Sequence, residues 1–365
     1  MSKKELIYLL ALQRIPNIGD ISAKKLLQHL GSAEAVFKEK KSNLMKINGI
    51  GSHTLKELHK TLYLEEAEAE LKFIETNGIE TVYFQDKKYP ENLKHCIDAP
   101  ILLFQKGNLD LRRKKIISIV GTRKATVHGV AFCEKLIEDL APLNPVIVSG
   151  FAYGIDIAAH KAAFKNNLQT VACMAHGLDK IYPKTHAKYR EQVEANGGFV
   201  TDFWSNSDFL PANFLSRNRI VAGLGQATIV VESAEKGGSL VTADIANSYN
   251  REVFAVPGRP TDLQSKGCNN LLKQQKAQAL TCAADLIYML NWDLEKPQPE
   301  QQKLFVELPP DEEKVFSVLQ KTGKCELDEL ALESGLPTFQ LASLLLNLEL
   351  KGLVRPLPGK QFEVV

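Results

Sequence analysis

Between residues 111 and 290 the chain alternates short apolar runs with amphipathic stretches, and neither pattern persists for long. The apolar runs at 116–120, 145–149, 169–174, 198–201, 227–231 and 252–256 are rich in β-branched residues and show no polar alternation. A strand of that kind is covered on both faces, the condition of a parallel sheet held between helices. Helical spacing of apolar residues fits 128–141, 154–166, 185–196, 212–222, 239–249 and 268–278, one stretch after each run. The alternation predicts an α/β domain over 111–290, a Rossmann-like doubly wound parallel sheet.

The flanks carry other patterns. Within residues 1–65 two segments, RIPNIGDISAKKLLQHLG (14–31) and KINGIGSHTLKELHK (46–60), repeat an apolar residue, a glycine-bearing turn and a helix with lysine or histidine. This predicts an all-α domain of helix-hairpin-helix type, whose turn N–H groups could approach a phosphate. Equally, Gly19, Gly49 and Gly51 would serve only to let helices turn tightly. A glutamate-rich helix fits 61–75, and 66–110, with short strands, Pro90 and Pro100, reads as an extension packing on the central domain. The proline- and glutamine-bearing stretch 291–308 reads as a linker. Residues 309–365 give a helix, a helix–turn–helix and a hairpin turning at Pro358, Gly359 and Lys360, the order of a winged helix. Its would-be recognition helix carries only Glu349 and Lys351 as charges, which points to protein contact rather than duplex DNA.

Charge sharpens this outline. The net charge is only +2 over 365 residues, but it is unevenly spread. Residues 1–60 carry 11 Lys/Arg against 5 Asp/Glu and residues 111–290 carry 21 against 15, whereas 61–110 carry 5 against 10 and 309–365 carry 6 against 9. Two separate basic blocks fit a polyanionic partner better than the total suggests. The six cysteines are scattered without CxxC or Cys/His spacing. With no signal-peptide pattern at Met1–Glu5 and no apolar run of membrane length, the expectation is a reduced, cytoplasmic protein without structural zinc and with no membrane partner.

The candidate chemistry lies where the strands end. Strand-to-helix turns of one parallel sheet open on the same edge, where helix N-termini bind anions. The first turn, GTRKAT, offers Gly121, Thr122 and Arg123, the last with a bidentate fork for phosphate oxygens. The second supplies Ser149 and Gly150, and the third supplies Gly238, Ser239 and Thr242 at a helix start. Lys184 follows the apolar run 169–174, and FLSRNRIVAGL brings Phe214, Arg217, Asn218 and Arg219. Aromatic rings beside arginines suit a single strand whose unstacked bases need a π-face. Each feature also has a plain structural reading: Arg217 and Arg219 as partners of Glu232 or Asp202, Phe214 as core, Lys184 as a solvated surface residue.

Several chemistries are absent. There is no GxxxxGK[ST], no GxGxxG, no HExxH and no GxSxG. Asp156 and His160 stand four apart on one helix, a spacing that could hold a metal, but a helix-start aspartate and a locally bonded histidine explain them better. Neither a metal nor a cofactor is expected.

The ordered run GTRKATVHG, SGFAYGIDIAAH, GLDKIYP, FLSRNRIVAGL, VVESAEKGGSLVTA, REVFAVPG and GCNNLL resembles the DNA processing protein A (DprA, or Smf) family across 111–280. The flanks resemble that family's SAM-like N-terminal domain and C-terminal winged helix. The resemblance implies a non-enzymatic single-stranded DNA-binding protein of natural transformation that protects incoming strands, helps load the RecA recombinase and forms a homodimer through the Rossmann-like domain. It implies a DNA pocket from Gly121, Thr122, Arg123, Lys184, Phe214, Arg217, Asn218 and Arg219. The chain departs from the family pattern around Lys276, at Asp202, and at Met174, Ala175 and His176. The competing class is an enzyme that cleaves a nucleoside monophosphate with Glu232 as general acid or base, although neither VPGRPTD nor EKGGSLVTAD matches the PGGxGTxxE pattern such enzymes show.

Overall fold

Apolar residues recurring every three or four positions gather the N-terminal helices. In the computed structural model, which describes residues 1–112, 115–292, 308–357 and 360–364, Leu9, Leu10 and Leu12 of α1 (Lys3–Arg14) are buried with Ala23, Leu26 and Leu27 of α2 (Asp20–Leu30). Two short helices, α3 (Ala33–Lys38) and α4 (Lys41–Leu44), add Val36 and Leu44 to the same core. Side-chain caps fix the starts: Ser2 accepts from the Glu5 N–H and Ser32 from the Ala35 N–H, both at 3.1 Å. The second glycine turn is not followed by a regular helix. Residues 52–59 wind as consecutive turns, because Leu55 and Leu58, three apart, are the residues that must reach the core. Helix α5 (Leu62–Thr76) then runs unbroken across residue 65 and packs on α1.

Next, β1 (Glu80–Tyr83), α6 (Glu91–Lys94) and β2 (Leu102–Gly107) lead into the sheet. The chain then alternates as the apolar runs predict: β3 (Ile116–Val120), α7 (Val127–Leu140), β4 (Val146–Ser149), α8 (Ile155–Lys165), β5 (Thr170–Cys173), α9 (Arg190–Ala195), β6 (Gly197–Thr201), α10 (Pro211–Leu224), β7 (Ala227–Val230), α11 (Gly238–Ser248), β8 (Glu252–Ala255), α12 (Lys266–Lys273), β9 (Gln278–Ala279) and α13 (Ala283–Met289). Every residue of β3 to β7 is buried, as strands covered on both faces must be.

The sheet order is β1-β2-β6-β5-β4-β3-β7-β8-β9. From β6 to β9 all neighbours are parallel, but β2 pairs with β6, and β1 with β2, in antiparallel register. The sheet is therefore mixed at one edge, supplied by the proline-bearing segment before the central region. From β3 the chain builds outward through β4, β5 and β6, then returns to place β7 on the other side of β3. A doubly wound sheet opens a crevice at such a reversal, outside the carboxyl ends of the strands. The turns after β3 and β7 flank it, joined by the Thr122 N–H donating to Glu232 O at 2.7 Å.

The chain falls into two units, Met1–Leu294 and Glu295–Val365. The expected linker lies, for residues 293–307, outside the described residues, as do Pro358 and Gly359 of the closing hairpin. The second unit contains α14 (Pro310–Thr322), β10 (Lys324–Glu326), α15 (Leu327–Ser334), α16 (Thr338–Leu350), β11 (Val354–Leu357) and β12 (Gln361–Val364), with sheet order β10-β12-β11 around buried Val315, Leu319, Leu330, Leu341, Leu345 and Leu348. This is the winged helix read from the sequence.

Candidate functional site

A cavity of about 580 Å³ occupies the reversal crevice. Its floor is the first turn (Gly121, Thr122, Arg123), Gly150, and the third turn with Gly237, Gly238, Ser239 and Thr242. α10 supplies one wall through Phe214, Leu215, Arg217 and Asn218, and Tyr182, Phe209 and Lys236 stand around it. The fold thus gathers turns more than a hundred residues apart, as one parallel edge requires.

The rim is aromatic and cationic. The Arg123 guanidinium lies 5.3 Å from the centroid of the Phe214 ring. Tyr182, Phe209 and Phe214 pack edge-on or tilted with centroids 4.8, 5.8 and 5.6 Å apart. Phe209 and Tyr182 remain 42% and 40% exposed, so the cluster presents π-surface outward rather than closing on itself. Arg123 and Lys236 are exposed cations, and neither forms an ion pair among the described residues. At the floor, α11 starts at Gly238 with no side-chain cap from Gly237. Gly238 and Ser239, the first two residues of the helix, line the cavity, while the Leu240 N–H is taken by Gly237 O at 3.2 Å.

Beneath the rim lie two buried opposite charges, Arg217 and Asp156. Arg217 donates through Nη1 to Gly150 O at 2.6 Å and to Cys173 O, and through Nε to Asn218 Oδ1 at 3.3 Å. Asp156 stands beside it and accepts from the Ala152 N–H at 3.3 Å. Burial works against both charges, raising Asp156 above the ordinary carboxylate range and lowering Arg217, and each partly offsets the other's shift. Gly150 is what makes room: a Cβ there would sit 2.6 Å from both Arg217 Nη1 and Asp156 Oδ2. Asp156 is a helix-start residue whose buried charge is opposed by the field of Arg217 without a direct contact between them. His160 bonds Thr170 Oγ1 at 2.7 Å, and burial pushes it down to about 3. No cluster that could hold a metal exists among the described residues.

Not every candidate reaches the cavity. Ser149 is buried and donates its hydroxyl to Ile119 O at 2.6 Å, inside the sheet. Ser239 Oγ donates to Ser233 Oγ at 3.0 Å and Thr242 Oγ1 to Gly238 O at 3.2 Å, so both line the cavity with hydroxyls engaged internally. Lys184 is exposed at the start of a 3₁₀ turn, two residues beyond Tyr182 and outside the lining. Arg219 requires a correction. It is absent from the lining and turns the other way, bonding Asp20 Oδ2 at 3.0 Å, Asp202 Oδ2 and Asp98 O. Residues two apart on a helix point about 200° apart, so Arg217 and Arg219 could not share one face. Glu232 is also committed: its carboxylate accepts from the Thr126 N–H at 2.9 Å and the Thr126 hydroxyl at 2.5 Å, pinning the start of α7. Sequence reading missed Tyr182 and Lys236, although each stands within a motif already noted.

Three comparisons bear on identity. A family model described as DNA recombination-mediator protein A matches residues 80–291, and one described as the DprA winged helix domain matches residues 295–360. The chain is 29% identical to Protein Smf of Synechocystis over all of both chains. It is 32% identical to Protein Smf of Escherichia coli, covering 80% of this chain and 79% of that one. Among solved structures, DNA processing protein A (DprA) from Streptococcus pneumoniae superposes with a TM-score of 0.65 at 33% identity, over 77% of this chain and 96% of that chain. DNA processing protein A from Helicobacter pylori, described for its single-stranded DNA binding mode, gives 0.53 at 28% identity, over 58% of this chain and 95% of that chain.

Proposed function

Because the chain belongs to the DNA recombination-mediator protein A family, we propose that the crevice at the carboxyl edge of its sheet binds single-stranded DNA without sequence preference. One observation carries this reading: an exposed guanidinium over Phe214, within an open aromatic cluster, stands beside uncapped helix N–H groups. Phosphates meet the N–H groups and Arg123, while unstacked bases meet the rings; neither contact reads base identity. A nucleoside-monophosphate hydrolase would need a free general base, and Glu232 is held by Thr126 instead. The family relation extends the reading to protection of incoming strands, loading of RecA and assembly as a homodimer, with binding rather than catalysis as the activity.

Binding of oligothymidine, followed by fluorescence anisotropy, tests this. Arg123→Ala should weaken affinity by about 1.5–3 kcal/mol, the value of a charge-assisted contact, and Phe214→Ala by about 1–3 kcal/mol, the value of one stacked base. Lys184→Ala should weaken it less, since that lysine stands outside the cavity. All three residues are exposed or half-buried, so the fold should survive. Affinity unchanged in both the Arg123 and the Phe214 variant would remove the crevice from consideration.

A further inference from the structure

The winged-helix unit turns large apolar side chains away from its own core. On α16, Leu341, Leu345 and Leu348 are buried and pack with Val315, Leu319 and Leu330. Phe339, Leu346 and Leu350 of the same helix stay 74%, 55% and 79% exposed. Spacings of seven and eleven residues return to nearly one direction on a helix, so these three form a single stripe, roughly opposite the buried leucines. Ala342 and Ser343, both exposed, fill the interval with small side chains. A helix that is apolar on two opposite faces is one that is covered on both.

The charges around the stripe are of one sign. From Cys325 to Leu350 there is no lysine, arginine or histidine. Asp328, Glu329 and Glu333 stand exposed on α15, and Glu349 flanks the stripe on α16. α15 packs against α16 and adds a fourth exposed apolar residue, Leu332 at 84%, one turn on from Asp328 and Glu329. The basic residues that follow are already paired, Lys351 with Glu312 and Arg355 with Glu363. Duplex DNA would bring phosphates against these carboxylates, with no cation on either helix to meet them. A second copy of this face would set the same carboxylates against one another, because a two-fold contact is self-complementary. A helix with an apolar side and flanking lysines or arginines matches both the stripe and its rim.

We infer that the outer faces of α15 and α16 dock a basic amphipathic helix of a partner protein. Its apolar residues, one helical turn apart, lie on Phe339, Leu346 and Leu350, and its cations face Glu349 and the α15 carboxylates. None of these residues belongs to the crevice, and the assignment does not depend on what the crevice binds.

The test uses the full chain and two fluorescein-labelled peptides of about 15 residues, the length at which a helix begins to hold alone. One has leucines at helical spacing and lysines elsewhere; the other has glutamates in place of the lysines. In fluorescence anisotropy the chain should bind the lysine peptide and not the glutamate one. Leu346→Gln/Leu350→Gln should weaken that binding by about tenfold or more, as loss of two apolar anchors requires. Phe339→Gln, at the other end of the stripe, should weaken it independently. All three positions are exposed, so far-UV circular dichroism should be unchanged. Asp328→Asn/Glu329→Gln/Glu333→Gln/Glu349→Gln should erase the preference for lysine over glutamate. Binding of the lysine peptide that survives both the leucine and the phenylalanine changes would overturn the inference, as would a parent that binds neither peptide or both alike. Two further results would overturn it: a duplex oligonucleotide held by the parent and released by the leucine variant, or a parent that sediments as a larger species than that variant.

Discussion

Arg217→Ala should lower the free energy of unfolding by about 3–5 kcal/mol, the range for removing one partner of a buried charge pair. The guanidinium is buried, donates to the main-chain carbonyls of Gly150, just past β4, and of Cys173 in β5, and its charge opposes the burial of Asp156. Truncation removes the donor of both carbonyls and leaves the Asp156 carboxylate without its largest opposing charge. Urea unfolding should show a lower midpoint at an unchanged m-value. The deficit should depend on pH. Asp156 already has a raised folded-state pKa through burial, opposed by Arg217, and loses that opposition in the variant. A carboxyl raised in the folded state binds more protons there than when unfolded, so stability falls as pH rises above the unfolded value. The variant should therefore recover part of its loss as pH is lowered from 8 towards 5. Arg217→Lys keeps a charge but not the fork, and should recover only part of it. A variant of normal stability that had lost only DNA affinity would make Arg217 a surface phosphate contact instead.

The sheet was legible because its strands state their environment outright. IISIV and VIVS carry no polar alternation, and only a doubly covered parallel strand tolerates that. Convergence of Gly121, Gly150 and Gly238 followed from topology alone, since successive parallel strands end on one edge. Local sequence did not disclose direction on α10. Arg217, Asn218 and Arg219 looked like a cluster, and a pitch of about 100° per residue scatters them: Arg217 into the crevice floor, Arg219 towards the N-terminal helices. Nor did sequence reveal that Asp20, in the first glycine turn, belongs to the packing of the central region, because its partners lie 81 and 199 positions away. The antiparallel pairing was hidden for a related reason: β2 is set in its place by pairing with β6 some ninety residues on, so the sequence showed short strands packing on the central domain but not their direction.

Arg219→Ala should likewise cost about 3–5 kcal/mol, but with a different signature. Its guanidinium joins Asp20 at the start of α2 to Asp202 after β6 and to Asp98 O before β2, so three segments depend on one side chain. Burial works against the Arg219 charge, yet the carboxylates of Asp202 and Asp20 outweigh it and hold the guanidinium above its ordinary value. Removing it leaves two carboxylates facing each other with burial already pushing Asp202 up. Hydrogen exchange should accelerate in α1, α2 and α5 more than in β3, β4 and β7, because the broken contact ties the helices to the sheet rather than the strands to one another. Arg219→Ala/Asp202→Asn should be more stable than Arg219→Ala alone, since the second change removes a charge left without a partner. At a temperature where the single variant stays folded, its affinity for oligothymidine should match that of the parent. A folded Arg219→Ala protein with weakened binding would return this arginine to the DNA path and require the strand to pass on the helical side of α10.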